Sequence, residues 1–267
     1  DGTGVTFRAG PGVGTVTLPG LPLAVGEPAI NPGPRKMMTG VVRDLSRRLN
    51  GPGDVEITVA IKDGEILAEK TMNGRLGIRG GLSVLGTTGV VIPYSCASWI
   101  HSIHRGVDVA RAGGLTHIAA ATGSTSEAAV KALYDLPDMA LIDMGDFAGG
   151  LLKYLRRHPL PHLTIAGGFG KLAKLAQGNL DLHSARSSLD LKKLAAHAGD
   201  DRDLAERIAA ANTGMEALTL AQAVGVPIAD RVAQGAREVA LAALAGDVAV
   251  EVMVFDRQGQ LAGRAGG

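Results

Sequence analysis

Thr116-His-Ile-Ala-Ala-Ala-Thr-Gly-Ser-Thr-Ser-Glu127 is the stretch that decides the fold of this chain. In it an apolar run, Thr116–Ala121, leads directly into a turn of small polar residues and then into a helical pattern. The same order returns after the apolar runs Met139–Asp143 and Leu163–Ala166. Strands that alternate with helices predict right-handed crossovers and a mainly parallel, doubly wound sheet.

The alternation continues outward from this stretch on both sides. Upstream, Leu82-Ser-Val-Leu85 predicts the first strand of the sheet, and residues 97–112 predict a helix. Beyond residue 187 the chain is Ala-rich and helical until Asp247-Val-Ala-Val-Glu-Val-Met-Val-Phe255 predicts one final strand. We therefore expect residues 80–267 to form an α/β domain with a helical C-terminal region and a final strand.

Residues 1–79 have a different pattern, which predicts a small α+β domain. Gly and Pro interrupt residues 1–33, so that only short strands fit between them. Apolar residues at helical spacing predict a helix over Arg35–Leu49. The alternating run Val55–Ile61 and the turn Asp63-Gly64 predict a β-hairpin.

The composition excludes several classes of protein. With 267 residues, 46% of them hydrophobic, and a net charge of +1, the chain is globular, with one or two domains. A single cysteine excludes an internal disulfide and a Cys-rich metal site. Few aromatic residues and scattered Lys and Arg argue against nucleic acid, and no apolar run is long enough to span a bilayer. These features predict a soluble, cytoplasmic protein that does not bind a membrane.

Three Gly-containing turns follow predicted strands: Gly86-Thr-Thr-Gly89, Thr122-Gly-Ser-Thr-Ser126 and Gly167-Gly-Phe-Gly-Lys171. In an open α/β sheet, ligands bind beyond the carboxyl ends of the strands, where such turns allow a close approach. None of the three is a P-loop or a complete GxGxxG motif, and each is also compatible with a plain connection. Together they favour a nucleotide-like ligand. Asp143, at the end of its strand, is suited to a ribose hydroxyl or, equally, to a helix N-cap.

The sequence offers little for metal or nucleophilic catalysis. His101 and His104 are three residues apart on a predicted helix, but no third ligand is arranged with them, and Cys96 is alone. We therefore expect no protein-bound metal. A Gly-x-Ser-x-Gly motif, which a Ser hydrolase of the α/β class would need, is absent from the sequence.

Four longer segments resemble the cobalt-precorrin-5B (C1)-methyltransferases, the CbiD family of cobalamin biosynthesis. The segments are Gly12-Val-Gly-Thr-Val-Thr-Leu-Pro-Gly-Leu21, Val25-Gly-Glu-Pro-Ala-Ile-Asn-Pro-Gly-Pro-Arg-Lys-Met37, Arg75-Leu-Gly-Ile-Arg-Gly-Gly-Leu-Ser-Val-Leu-Gly-Thr-Thr-Gly89 and Gly170-Lys-Leu-Ala-Lys-Leu-Ala176, with His183-Ser184 following. The family commonly has Gly-His-Ile-Gly-Lys where this chain has Gly167-Gly-Phe-Gly-Lys171. Family members also usually begin with a further Thr/Gly/Ala-rich segment, so the first domain is expected to lack part of its usual length.

The resemblance implies transfer of a methyl group from S-adenosylmethionine to ring carbon 1 of a cobalt-containing corrinoid precursor, cobalt-precorrin-5B, giving cobalt-precorrin-6A in the anaerobic pathway. The cobalt would arrive with the substrate. The residues expected to bind the methyl donor are Gly86, Thr87, Thr88, Gly89, Thr122, Gly123, Ser124 and Asp143. The residues expected to bind the carboxylates of the corrinoid are Arg35, Lys36, Arg75, Lys171 and His183.

Other interpretations stay open at this stage. Each of these cations is also typical of a helix surface or a structural ion pair. One alternative is a corrinoid-binding or carrier module without catalysis, which the expected shortening of the first domain allows. Another is an unrelated nucleotide-binding α/β enzyme, which only the α/β pattern supports. The sequence identifies no acid–base residue, and it is compatible with a homo-oligomer.

Overall fold

The computed structural model describes residues 4–86 and 95–267. The chain divides into two compact units, Asp1–Gly113 and Gly114–Gly267. This division lies later than the expected boundary between residues 79 and 80, and it groups residues 80–113 with the N-terminal unit. The mixed α/β class with a mostly parallel sheet is confirmed.

The N-terminal unit contains short strands and three helices within its described residues. In chain order these are β1 (Val5–Ala9), β2 (Thr15–Val16), α1 (Pro32–Leu49), β3 (Val55–Val59), α2 (Gly64–Ala68), β4 (Ile78–Arg79) and α3 (Cys96–Ala112). β1 pairs with β3 in parallel, and β2 pairs with β4 antiparallel. Both pairs are small, as the density of Gly and Pro in this part of the sequence predicts.

The expected hairpin after β3 is wrong. The alternation from Val55 is real, since every second residue of β3 is partly buried, but the partner of β3 is β1, about fifty residues earlier in the chain. Asp63 has a positive φ of 57° and precedes α2 instead of a returning strand. Alternation shows that a strand has one covered face, but it does not identify the neighbouring strand.

The expectation that Leu82–Leu85 begins the parallel sheet is also wrong. Leu82 and Val84 form single bridges with Val13 and Ile30, so this segment pairs within the N-terminal unit. Its bridge partners are residues of the N-terminal unit that lie far earlier in the chain, and Leu85 is 66% exposed. The segment therefore supplies no edge to the large sheet.

Three glycines of the N-terminal unit meet where the backbone crosses itself. Gly12 has a φ of 77°, and a Cβ there would collide with the carbonyl of Ile61. A Cβ on Gly64 or on Gly81 would collide with the carbonyl of Gly12. Only glycine combines this φ with so close an approach of main chains. Gly12 and Gly81 both lie in segments that carry the family resemblance. Close packing of the main chain explains why glycine occupies these two positions.

The C-terminal unit is built on a five-stranded sheet. In chain order its elements are β5 (His117–Ala121), α4 (Ser124–Tyr134), β6 (Leu141–Asp143), α5 (Ala148–Leu155), β7 (His162–Gly168), α6 (Phe169–Ala176), α7 (Leu191–Ala195), α8 (Arg202–Ala210), α9 (Gly214–Ala223), α10 (Ile228–Leu244), β8 (Ala249–Phe255) and β9 (Leu261–Ala265). The strand order is β6-β5-β7-β8-β9. The first four strands are parallel, and β9 is antiparallel to β8.

The direction of winding reverses between β5 and β7. The chain passes from β5 outward to β6 and then returns across β5 to β7. Right-handed crossovers at both connections place α4 and α5 on opposite faces of the sheet. The interior of β7 is a continuous buried run, which is typical of a parallel strand covered on both faces. The carboxyl ends of β5 and β7 therefore lie side by side at the point of reversal.

β9 closes the far side of the sheet against α10. A Cβ on Gly263 would lie 2.6 Å from the backbone nitrogen of Asp230 and closer still to the carbonyl carbon of Ala229. The backbone N–H of Arg264 donates to Asp230 Oδ1 at 2.8 Å. No pattern in the sequence predicted β9. No helix in the described part of the chain combines the length and apolar character that crossing a membrane requires.

Candidate functional site

Two of the three turns expected to bind a ligand meet at the carboxyl edge of the large sheet. The backbone N–H of Thr122, directly after β5, donates to the carbonyl of Ala166 on β7 at 2.9 Å. Gly167 makes the approach possible, because a Cβ there would lie 2.7 Å from Thr122 Oγ1 and 3.1 Å from Leu172 Cγ. The turn at Thr122–Ser126 and the turn at Gly167–Lys171 thus form one surface.

Each of these turns opens a helix whose first N–H groups have no side-chain cap. Gly123 precedes α4 and Gly168 precedes α6, and neither position carries a capping side chain. Uncapped N–H groups at a helix N-terminus, together with the helix dipole, favour a polar or anionic ligand group. A Cβ on Gly123, Gly168 or Gly170 would have no protein atom within 4 Å, so open space lies in front of all three.

The open space is a cleft of about 590 Å³, which we call the large chamber. This volume falls in the range of about 300–1,000 Å³ that is typical of small-molecule sites. The large chamber is lined by Thr122, Gly123, Ser124, Thr125, Ser126, Gly168, Phe169, Gly170, Lys171, Met215, Phe255, Asp256 and Arg257. Sequence reasoning missed the contribution of Met215 and of the turn after β8. That turn is visible in the sequence, but only the strand order places it beside β7.

A second cleft of about 410 Å³, the small chamber, adjoins the large one. The two share Gly170 and Lys171 among their lining residues. The small chamber is lined by Asp146, Gly170, Lys171, Lys174, Leu182, His183, Ser184, Leu189 and Gly214. It brings together Lys171 and His183, which the sequence analysis assigned to the substrate, and adds Asp146 and Lys174.

Lys171 contacts both the turn after β5 and the loop after β6. Its Nζ donates to the carbonyl of Thr122 at 2.8 Å and lies 3.1 Å from Asp146 Oδ1. The contact with Asp146 is an ion pair that lacks the geometry of a hydrogen bond, since the buried Oδ1 has no hydrogen-bond partner among the described residues. Because one ammonium holds the end of β5 and faces the loop after β6, Lys171 fixes the wall between the chambers.

Of the other residues expected to bind the methyl donor, the structure describes Gly86 and Asp143. Gly86 belongs to the N-terminal unit, with a φ of 103° and open space around its Cα, and Thr87–Gly89 lie outside the described residues. Asp143 ends β6 opposite Ala121 and is partly buried, but it does not line either chamber. From that set, Thr122, Gly123 and Ser124 line the large chamber together, and Asp143 lies at the same edge of the sheet but outside its lining.

Three residues expected to bind the substrate belong to the N-terminal unit. Arg35 donates from Nε to the carbonyl of Ile30 at 2.7 Å and from Nη2 to that of Pro28 at 3.0 Å, so its guanidinium holds the loop before α1. Lys36 is exposed, and Arg75 is partly buried. Lys36 and Arg75 stay candidates for carboxylate binding, whereas Arg35 already has a structural role.

A buried polar cluster lies near the amino ends of β5, β7 and β8, away from the two chambers. Glu251 is fully buried, and its carboxylate accepts from Tyr134 Oη at 2.5 Å and Thr164 Oγ1 at 2.9 Å and pairs with Arg264. His117 contacts Thr164 Oγ1 at 2.8 Å and stacks on His162. Burial, followed by the charge of His162, lowers the pKa of His117.

The cluster strongly favours the protonated, neutral form of the Tyr134 hydroxyl. Burial and the hydrogen bond to the Glu251 carboxylate raise the pKa of Tyr134 to about 12. The tyrosine therefore stays a hydrogen-bond donor to Glu251 at physiological pH. Within residues 4–86 and 95–267, no three His, Cys, Asp or Glu side chains are close enough together to hold a metal ion.

The chain matches the CbiD family model over residues 1–93 and the model of the CbiD C-terminal domain over residues 181–266. It is 59% identical to a protein of Bradyrhizobium sp. (strain BTAi1 / ATCC BAA-1182) named cobalt-precorrin-5B C(1)-methyltransferase, over 98% of this chain and 71% of that protein. A protein of Brucella canis with the same name is 58% identical, over 98% of this chain and 73% of its own length.

One solved structure is also similar to this chain. It is the crystal structure of cobalamin biosynthesis protein (cbiD) from Archaeoglobus fulgidus, which is 28% identical in sequence. The match covers 68% of this chain and 56% of that one, with a TM-score of 0.28.

Proposed function

The chain belongs to the CbiD family, and on that premise we propose that it methylates carbon 1 of cobalt-precorrin-5B with S-adenosylmethionine as the methyl donor. The product is cobalt-precorrin-6A. The observation that carries the proposal is the sequence identity of 58–59%, over 98% of this chain, to relatives named for this reaction. The cleft at the winding reversal of the sheet supports it, because open α/β sheets bind nucleotide-like ligands there.

The large chamber fits the nucleoside part of the donor. Its floor consists of Thr122, Gly123 and Ser124 from one turn, and it faces Gly168 and Gly170 from the other. At these glycines a side chain would occupy the cleft without meeting protein, which is the arrangement expected where a ligand lies against main chain. Hydroxyls and uncapped N–H groups supply donors for the oxygen and nitrogen atoms of a nucleoside.

Asp143 is less suited to the ribose than the sequence suggested. It lies at the correct edge of the sheet, after β6, but outside the lining of both chambers. Asp256 lines the large chamber directly, in the turn after β8. Its Oδ1 accepts from the backbone N–H groups of Gln258 and Gln260, which holds the turn and the carboxylate in place. We therefore place Asp256 ahead of Asp143 as the acid near the ribose.

The protein contributes mainly alignment to this reaction. The donor supplies an activated methyl group, and the corrinoid supplies an electron-rich carbon, so the chain needs to orient the two and exclude water. Orientation of reactants is worth effective molarities on the order of 10⁵–10⁸ M. Lys171 fixes the wall between the chambers through Thr122, and the buried Phe169 and Phe255 pack beneath the surface of the large chamber. Cobalt enters as part of the substrate.

The test is methyl transfer by the purified protein. Incubation with cobalt-precorrin-5B and S-adenosylmethionine labelled in its methyl group should add one labelled methyl group to the corrinoid, as read by mass spectrometry. Gly123→Val should lose the transfer and remain folded, because the φ of Gly123, 174°, suits any residue and the side chain would enter open space. Ala132→Val, on the exposed side of α4, is the matched control and should keep the activity.

Two results would contradict the proposal. Corrinoid binding without methyl transfer under these conditions would support a carrier module instead. Full activity of a folded Gly123→Val variant would remove the large chamber from the donor site.

A further inference from the structure

The small chamber contains groups of both charges within one volume. Asp146 supplies a carboxylate, and Lys171 and Lys174 supply ammonium groups. His183 lines the same space, and its Nδ1 accepts from the backbone N–H of Ala185 at 3.1 Å. A neutral imidazole whose Nδ1 accepts carries its proton on Nε2, so His183 has a donor left for a ligand.

Asp146 is the unusual member of this group. Its Oδ1 is buried and has no hydrogen-bond partner among the described residues, although Lys171 Nζ lies 3.1 Å away. Buried polar atoms without a partner are rare in folded proteins and call for an explanation. The Asp146 side chain as a whole is 24% exposed, and Asp146 lines the small chamber. A cationic ligand group in the chamber would add a second positive charge beside this carboxylate, on the side away from Lys171.

The two lysines differ in how they use their N–H groups. Lys174 Nζ donates one hydrogen bond to the carbonyl of Leu182 at 3.0 Å. Lys171 Nζ donates to the carbonyl of Thr122 and faces Asp146. An ammonium group has three donors, so with respect to residues 4–86 and 95–267 Lys174 keeps two for an anionic ligand group on its side of the chamber.

We propose that the small chamber binds a zwitterionic α-amino acid group, with the ligand ammonium on Asp146 and the ligand carboxylate on Lys174 and His183. This inference rests on the proposed function, because the donor ends in such a group. One ligand then extends through both chambers, with its nucleoside in the large chamber and its amino acid end in the small one. Gly170 and Lys171, which line both, lie at the junction.

The proposal changes the roles of two residues that the sequence assigned to the corrinoid. His183 contacts the carboxylate of the methyl donor instead of a substrate carboxylate. Lys171 acts as a positioning residue that keeps the Asp146 carboxylate and the Thr122 turn in place. The corrinoid carboxylates are then left to cations outside the small chamber.

Binding of two nucleosides separates this proposal from its alternatives. S-Adenosylhomocysteine carries the amino acid end, whereas 5′-methylthioadenosine has the same nucleoside thioether without it. In titration calorimetry with the full chain, Asp146→Asn and Lys174→Met should each weaken binding of S-adenosylhomocysteine by about 10- to 100-fold, the effect of losing a charged hydrogen bond. Both variants should bind 5′-methylthioadenosine within about twofold of the wild type, a ratio below the effect of one hydrogen bond.

Matched controls come from exposed charges elsewhere on the same unit. Asp203→Asn removes a carboxylate that pairs with Arg207 on the surface of α8, and Lys192→Met removes an exposed cation of α7. Neither change should alter the affinity for either nucleoside. Lys171→Met should weaken both nucleosides, because it releases the Thr122 turn as well as Asp146.

The outcomes are distinguishable. Equal losses for the two nucleosides in Asp146→Asn and Lys174→Met, or no loss for S-adenosylhomocysteine, would overturn the inference while leaving the proposed function in place. A folded wild-type protein that binds neither nucleoside would contradict the proposed function itself. A thermal melt of each variant reports folding, and Lys174→Met decides the question if Asp146→Asn does not fold.

Discussion

Gly167 and Gly168 are adjacent, and we predict opposite responses when each is changed to alanine. A Cβ on Gly167 would lie 2.7 Å from Thr122 Oγ1, 3.0 Å from Thr122 Cγ2 and 3.1 Å from Leu172 Cγ. A Cβ on Gly168 would have no protein atom within 4 Å. The pair therefore compares an added methyl group in a closed space with the same group in an open one.

The magnitude follows from what surrounds each site. Thr122 is 6% exposed and Leu172 is fully buried, so neither side chain can move aside without disturbing the core. Inserting a methyl group into such a space costs about 1–3 kcal/mol. At Gly168 the φ of −72° suits alanine, and we expect a change in the free energy of unfolding within about 0.5 kcal/mol.

Scanning calorimetry checks the prediction. A change of 1 kcal/mol shifts the melting temperature by about 2–4 °C for a chain of this size class, so Gly167→Ala should melt several degrees lower than Gly168→Ala. Equal melting temperatures for the two variants would refute the argument that Gly167 permits the contact between β7 and Thr122.

Three further predictions concern other parts of the molecule. Arg264→Met should lower the free energy of unfolding at neutral pH by about 3–5 kcal/mol in a urea titration, because the buried Glu251 loses its cation; a loss below about 1 kcal/mol would contradict this. His117 has a pKa lowered by burial, so the folded state resists its protonation: its contribution to stability is full above about pH 6.5 and is lost as the pH falls below that value. His117→Gln should therefore lose less stability on acidification than the wild type, and an unchanged pH dependence of the urea midpoint would count against it. Gly12→Ala should destabilise the N-terminal unit by about 4 kcal/mol or more, since it combines a positive φ with a collision at the carbonyl of Ile61; a native-like fluorescence melt of Trp99 would disprove this.

The sequence contained enough information for the order of strands in the C-terminal unit from β5 to β8, but not for β9. The expected strand Thr116–Ala121 corresponds to β5, and Asp247–Phe255 contains β8. These runs are apolar, short and bounded by Gly or polar turns, so local pattern and final structure agree. The helix expected over Arg35–Leu49 is also present, beginning three residues earlier at Pro32.

Pairing between distant segments was beyond reach of the same reasoning. Nothing local in Val55–Val59 shows that β1 is its neighbour, and Leu82–Leu85 has the same apolar character as a strand of the large sheet. For the site, the turn at Thr122 was identified because it directly follows β5. Asp146 and Asp256 were missed, since each acquires its meaning only from the strand order that brings separate loops to one edge.

The way β9 is held has a consequence for how this protein behaves at high concentration. An edge strand with unpaired main-chain groups can recruit another chain and start aggregation. Here the N–H of Arg264 is already occupied by Asp230, and Gly263 lies against the first turn of α10, so an incoming strand has no room at that position. At the opposite edge of the described sheet, β6 has only three residues and offers a short template. We expect the C-terminal unit to resist strand-mediated self-association, and Asp230→Ala to weaken that protection.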